Sequence, residues 1–427
     1  MSAPLYEALV RHRRLGRSSF HTPGHKNSPA ALPPDLYSLD FTELPDTDSL
    51  FEASGPIREA EQRAAAFFGT TRTCFSAGGC TLCIQAMLRL AEPNGGRILC
   101  SRVIHRSAVN AIALLGLTPV WAMPQDFPAA VEKYPDVKAV YVTSPNYYGQ
   151  IMDIAAISAA CRKCGIPLLV DSAHGAQLMF TQPKLHPLIF GASMTADSAH
   201  KTLGVLTGGA WLDIGDARYA EGAKEAMALF GSTSPAYPVM ASLDWARNWL
   251  EHHPAAFLPV QQQVADLRRF ARERGIAFPA GQCDPTRLTL RTSSVGLTGT
   301  RAAEIFRETG VEPEFADGSY LVLIATPFNT EEDFRRVRCA IEKFPTGKPL
   351  PDGPELPPIP PAEVGLREAV LAPAETVELA SSVGRVAAEA ACPCPPGVPV
   401  TMPGERITKE AAEFLRGYGF LNIKVLK

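Results

Sequence analysis

The chain has 427 residues, 46% of them hydrophobic and 20% charged, and a formal net charge of −3. That length exceeds what one ordinary core fills, so two or three domains are expected, and the composition excludes wholesale disorder. A near-neutral charge gives no electrostatic case for a nucleic-acid partner, and the apolar runs, broken by Gly, Pro or charge, fall well short of a bilayer span.

The first twenty residues carry Arg11, Arg13, Arg14 and Arg17 but no apolar stretch of the secretory kind, so a soluble cytoplasmic protein is expected. From about Thr71 to Leu212 short apolar runs alternate with helical patterns. Strands are predicted at Arg97–Ser101, Thr118–Met123, Ala139–Thr143, Pro167–Asp171, Met194–Ala196 and Gly209–Asp213. Helices are predicted at Thr81–Leu90, Arg106–Leu115 and Asp153–Cys164. Such alternation means βαβ units in an α/β fold with a mostly parallel sheet, whose ligands sit at the carboxyl ends of the strands.

Beyond this unit the pattern predicts a long helical stretch over Tyr237–Arg274, strands at Arg287–Arg291 and Tyr320–Ile324, and a helix at Thr300–Thr309. A proline-rich stretch follows, which reads as an extended linker. A short C-terminal unit with a helix near Ala374–Ala390 completes the chain. The expected divisions are an N-terminal segment 1–50, a large domain 51–245, a small α/β domain 246–345, a linker 346–361 and a C-terminal domain 362–427.

The chemistry concentrates between residues 76 and 202. Asp171 ends an apolar run, and Lys201 follows within Ser198-Ala199-His200-Lys201-Thr202. Enzymes that use pyridoxal 5'-phosphate need this pairing: a lysine for the Schiff base, and an acid that keeps the pyridine nitrogen protonated so the ring can take up electrons. Upstream, Ser76-Ala77-Gly78-Gly79-Cys80-Thr81 opens a helix and could cradle a phosphate on its backbone N–H groups. His105 could stack on one face of the ring and Ala173 lie against the other, while His174, Ser198 and His200 stand near Asp171 or Lys201. Each residue has a plainer role open to it. Gly-Gly before a helix is often an ordinary turn, an acid at a strand end often caps a helix, and most lysines are solvated. Thr143-Ser144-Pro145-Asn146-Tyr147-Tyr148-Gly149 closes another strand end and is expected to line the site, with no role assigned to Tyr147 or Tyr148.

Ten cysteines raise a further reading. Cys80 with Cys83, Cys161 with Cys164, and Cys392 with Cys394 have spacings that zinc could use, although reduced and mostly buried thiols suit this chain better.

The chain resembles the Orn/Lys/Arg decarboxylase family. Phe20-His21-Thr22-Pro23-Gly24-His25-Lys26 is similar to its N-terminal signature, and Phe41-Thr42-Glu43-Leu44 and Gly55-Pro56-Ile57-Arg58-Glu59-Ala60 to the next segment. Asp197-Ser198-Ala199-His200-Lys201-Thr202-Leu203 resembles its cofactor-attachment segment. Pro395-Pro396-Gly397-Val398-Pro399 with Pro403-Gly404-Glu405 resembles its C-terminal signature. The resemblance implies a fold type I, aspartate aminotransferase-like large domain binding pyridoxal 5'-phosphate, with smaller α/β C-terminal domains, in a short form without the N-terminal receiver-like domain. It implies Lys201 as Schiff-base lysine, Asp171 on the pyridine nitrogen, His105 on the ring, and Gly79, Cys80, Thr81, Ser198 and His200 near the phosphate. It further implies a homodimer or larger assembly with sites at the subunit interface. There Gly231-Ser232-Thr233-Ser234-Pro235-Ala236-Tyr237 would bring Thr233 and Ser234 to the neighbouring cofactor.

The chain departs from the family at Ala77, Gly79 and Cys80, where the loop usually reads Asn-Gly-Ser/Thr-Thr. It also has Gly208 in place of a common glutamine and Gln177 in place of a histidine. The implied reaction is decarboxylation of arginine, lysine or ornithine to the amine and carbon dioxide, as in polyamine metabolism. Lys201 or His200 would protonate Cα, and Glu43, Asp46 or Asp48 are the candidates for the substrate's distal cation. The alternatives are another fold type I reaction, such as transamination or aldol cleavage, and a non-catalytic relative.

Overall fold

The structure, a computed structural model, describes residues 3–351, 353–393 and 397–427. After helix α1 (Pro4–Arg14) and strand β1 (Ser18–Phe20), helix α2 (Pro56–Phe68) leads into a seven-stranded sheet. Its strands are β2 (Arg72–Ser76), β3 (Arg97–Ser101), β4 (Thr118–Ala122), β5 (Ala139–Thr143), β6 (Leu168–Asp171), β7 (Met194–Asp197) and β8 (Ala210–Ile214). The spatial order is β2-β8-β7-β6-β5-β3-β4, with β3 to β7 mutually parallel and β8 antiparallel to both its neighbours.

The burial pattern explains why these apolar runs form strands. Ile98, Cys100, Tyr141 and Leu169 face one side with helices α3 (Gly79–Ala91) and α4 (Arg106–Leu115). Leu99, Val140, Val142, Leu168 and Val170 face the other, against the helix Ile154–Cys164. Successive residues thus enter opposite cores, and a strand covered on both faces reads as a continuous apolar run.

A second core forms around an antiparallel sheet ordered β11-β12-β9, built from β9 (Arg287–Arg291), β11 (Phe315–Ala316) and β12 (Tyr320–Ile324). The N-terminal β1 pairs in parallel with β10 (Val311–Pro313), and Phe20 is buried in this same core. The segment 1–50 is therefore partly built into the small unit. From 344 to 361 the described residues form no helix or strand. A third core gathers around the antiparallel pair β13 (Ala374–Glu378) and β14 (Asn422–Leu426) with the helix Lys409–Gly417.

Strand positions agree with the sequence expectation to within about a residue. Two expectations fail. The stretch Tyr237–Arg274 is two helices, Tyr237–His252 and Phe257–Glu273, separated at His253-Pro254-Ala255-Ala256, because proline removes a donor and clashes with the preceding turn. The helix expected near Ala374–Ala390 is absent. Thr376 and Val377 lie in β13, where β-branched side chains suit a strand that has a partner in β14.

Candidate active site

Because β5, β6 and β7 run parallel, their carboxyl ends share one edge of the sheet, and a cavity of about 480 Å³ opens there. Gly79, Cys80 and Thr81 form one part of its wall, Asp171, Ala173 and His174 another, and His105, Ser198, His200 and Lys201 a third. All ten residues come together from four separate strand ends.

One end of the cavity is built to receive an anion. Helix α3 begins at Gly79, and its N-cap, Gly78, provides no side-chain cap, so first-turn N–H groups remain for a ligand. Gly79 has φ +66° and donates its own N–H to Gly208 O at 2.7 Å. Gly208, at φ +98°, approaches closely enough that a Cβ there would lie 3.3 Å from Ala77 O. The two departures at Gly79 and Gly208 are thus one feature, a loop held by its own backbone. Cys80 is buried beside it, and burial pushes its thiol well above the usual range.

Asp171 also belongs to the wall. One of its oxygens accepts from Ala173 N–H and the other from the Tyr141 hydroxyl, each at 3.1 Å. Burial raises this carboxyl above its usual range, with Lys201 the strongest influence in the other direction. A cation placed against it would therefore be stabilised more than one in water.

Three histidines surround the space, all held below the usual imidazole range chiefly by burial. His105 is the N-cap of α4. Its Nδ1 accepts from Ser107 N–H at 3.2 Å, so in the neutral ring the hydrogen is on Nε2. His200 has the other tautomer, since its Nδ1 lies 2.9 Å from Gly209 O, which can only accept. Its Nε2 carries the lone pair. Lys201 Nζ sits 3.1 Å from His174 Nε2.

Other expected residues lie elsewhere. Thr233 and Ser234 are exposed and do not line this cavity. Glu43 and Asp46 are exposed, and none of the three acids proposed for the distal cation is in the wall. Asp48 instead braces the start of α2, accepting from Ser54, Gly55 and Ile57 N–H groups. Burial alone would raise its carboxyl, but these bonds bring it below the usual range. Among the described residues no group of three His, Cys, Asp or Glu could hold a metal, and no helix is long and apolar enough to cross a membrane. Cys394, Pro395 and Pro396 lie outside the described residues.

Thr143, Tyr147 and Tyr148, expected to line the site without an assigned role, do line it, whereas Cys392 and Gly397 were not expected there. Thr143 ends β5 in the cavity wall, and its buried hydroxyl has no partner. Cys392 and Gly397 bring the C-terminal unit to the mouth. Tyr147 and Tyr148 line the cavity while bonding Glu314 at 2.9 Å and Asp317 at 2.8 Å, respectively. Tyr141 and Arg287 had no signal in the sequence, because each acts through a partner that only folding supplies.

A cavity at the carboxyl ends of a mostly parallel sheet belongs to a fold shared with a Thermus thermophilus aspartate aminotransferase, which superposes with a TM-score of 0.60 at 15% identity, covering 77% of this chain and 99% of that one. Residues 3–261 match the major domain, and residues 359–422 the C-terminal domain, of Orn/Lys/Arg decarboxylases. The chain belongs to that family. It is 33% identical to the Bacillus subtilis protein YaaO over 97% of this chain and 94% of that one. It is 30% identical to an arginine decarboxylase of Halalkalibacterium halodurans, covering 97% and 92%. The lysine decarboxylase LdcF of Francisella novicida superposes with a TM-score of 0.79 at 18% identity, covering 92% of this chain and 75% of that one.

Proposed function

We propose that this protein decarboxylates a basic L-amino acid, arginine, lysine or ornithine, with pyridoxal 5'-phosphate bound in the cavity and Lys201 as its covalent anchor. The observation that carries the reading is that three kinds of group line one cavity. The uncapped start of α3, the buried Asp171 and Lys201 all belong to its wall. The orphaned Thr143 hydroxyl in the same wall supports a polar occupant, since buried hydroxyls rarely go unpaired. These residues fit the cofactor, whose phosphate is an anion and whose pyridinium is a cation.

When bound, pyridoxal phosphate supplies an electron sink for the carbanion left at Cα as carbon dioxide departs. The first-turn amides of α3, with Thr81 and Ser198, hold the phosphate. Asp171 keeps the ring nitrogen protonated, and its two hydrogen bonds from Ala173 and Tyr141 fix its orientation. His105 presents a neutral ring to the cofactor face, so it adds no charge there. Lys201 would be the amine that anchors the cofactor, and His200 Nε2, which carries a lone pair, would be able to hold a proton for Cα. The related chains named for arginine or lysine decarboxylases support a basic substrate. Among the described residues the wall holds no carboxylate besides Asp171, and a second subunit that supplies one, with Thr233 and Ser234 of each protomer at its neighbour's phosphate, is the proposed arrangement.

The test is direct. Purified protein is titrated with pyridoxal phosphate, and arginine, lysine and ornithine are then assayed for amine, carbon dioxide and keto acid. A visible absorbance band that is lost in Lys201→Ala, with amine and carbon dioxide in equal amounts, is expected. No band with or without added cofactor would end the proposal, and keto acid in place of carbon dioxide would turn it to transamination.

A further inference from the structure

A buried polar chain runs from the small unit to the reactive lysine. Gln177 Nε2 donates to Asp284 Oδ2 at 2.6 Å, and the same carboxylate oxygen lies 3.6 Å from Arg287 Nε. Arg287 Nη2 lies 3.2 Å from His174 Nδ1, and His174 Nε2 lies 3.1 Å from Lys201 Nζ. Asp284 and Arg287 are each 1% exposed and Gln177 is fully buried, so no solvent intervenes at that end.

The backbone is arranged around Arg287. Gly149 has φ +86°, and a Cβ there would lie 2.9 Å from Arg287 Cδ. Arg287 Nη1 donates to Tyr147 O at 2.9 Å, which leaves Nη2 directed at the imidazole. A guanidinium has only donors, so Nδ1 of His174 must be the acceptor, and the hydrogen of the neutral ring must be on Nε2. That hydrogen faces Lys201. An ammonium group has no lone pair to receive it, whereas the free amine has one.

We propose that Arg287 sets the tautomer of His174, and that His174 in turn donates Nε2–H to the lone pair of the Lys201 nitrogen, a positioning contact that must break before that nitrogen attacks an aldehyde. The proposal deepens the function above and rests on Lys201 being the reactive amine. Arg287 is a positioning residue, since it acts only through His174. The other titratable groups facing this pair are His105 from the start of α4, His200 beside Lys201, and Asp171 at the end of β6. The Tyr147 ring stands edge-on to the His174 ring at 5.0 Å. Docking of the small unit thereby prepares a group in the large one.

The experiment uses full-length protein without cofactor, so that failure to decarboxylate any substrate does not decide it. Nitrogen NMR of isotope-labelled histidine, with the His174 signal assigned by its loss in His174→Phe, reports the tautomer. The wild-type ring is expected with hydrogen on Nε2, and Arg287→Gln is expected to lose that preference while keeping the circular dichroism of the wild type. In parallel, the rate of acylation of Lys201 at neutral pH is followed by mass spectrometry. His174→Phe changes no net charge next to the amine, frees its lone pair, and is expected to speed acylation by about threefold or more, the scale of one hydrogen bond. Hydrogen on Nδ1 in the wild type, or unchanged or slower acylation in His174→Phe, overturns the proposal. Neither of these readouts requires Arg287→Gln to fold.

Discussion

Arg102 and Glu405 form a buried two-pronged ion pair, at 2.6 and 2.7 Å, that ties the large unit to the C-terminal one. Arg102 directly follows β3, and its remaining donors reach Pro399 O at 2.9 Å and Val400 O at 3.1 Å. Glu405 also accepts from Met402 N–H at 2.8 Å. The pair therefore holds the segment just after Gly397, a residue of the cavity wall.

Glu405→Gln is expected to be strongly destabilising. It leaves a guanidinium buried without its counter-charge, a change that costs about 3–5 kcal/mol when one partner of such a pair is removed. Denaturant unfolding would show the loss, and protease would cleave the C-terminal unit sooner than in the wild type. A variant as stable and as resistant as the wild type would refute the anchoring role.

Gly24 is expected to tolerate no side chain. A Cβ there would lie 2.5 Å from Leu203 O, because the turn at Gly24 packs directly on the chain that follows Lys201. Gly24 N–H also donates to His200 O at 2.8 Å, so any retreat would shift the Lys201 segment. Gly24→Ala should cost about 1–3 kcal/mol and weaken binding of pyridoxal phosphate. Equilibrium binding of the cofactor measures this, and an affinity equal to that of the wild type would count against the coupling.

Cys80→Ser is expected to hold the cofactor more tightly. The serine hydroxyl is a better donor than a thiol at the same buried place beside α3's first turn. One improved hydrogen bond to phosphate corresponds to about a two- to tenfold lower dissociation constant. Competition between the two proteins for limiting cofactor would reveal the difference, and equal partition would show that residue 80 does not face the phosphate.

Lys26 is expected to leave a signature in the pH dependence of stability. Its Nζ is enclosed by His21 O at 2.5 Å and Ile324 O at 3.2 Å, and burial pulls the group down from 10.5 to about 7. Between those values the unfolded chain binds a proton that the folded chain does not, so this group makes stability rise with pH across that window. In Lys26→Met that contribution disappears. The stability of the wild type relative to the variant should therefore climb from pH 7 toward 10.5 and level off beyond it. Urea unfolding at several pH values tests this, and a constant difference would contradict it.

Much of the fold was legible before folding. The runs at Ile98–Cys100 and Val140–Val142 are strands because every second residue enters a different core, and such runs stand out in a sequence. Gly79, Asp171, His105 and Lys201 were legible too, since loops and helix starts at strand ends carry their functional groups on short, local patterns. The C-terminal strand β13 was not, because its stability comes from pairing with β14, over forty residues away. Nor was the break at Pro254 weighed against the helical pattern on either side of it.

The sequence by itself determined the alternation of strands and helices, the family, and the lysine and aspartate on which the proposed chemistry depends. Those are local or ordered features, readable from one residue to the next. Tertiary structure alone decided the protonation pattern around them. It put Arg287 against His174 and His174 against Lys201. It buried Asp171 under Tyr141, and closed the loop at Gly79 with Gly208. These are contacts between distant segments in a medium of low polarity, where direction of donation and degree of burial set the charge of each group, and neither is written in the order of the residues.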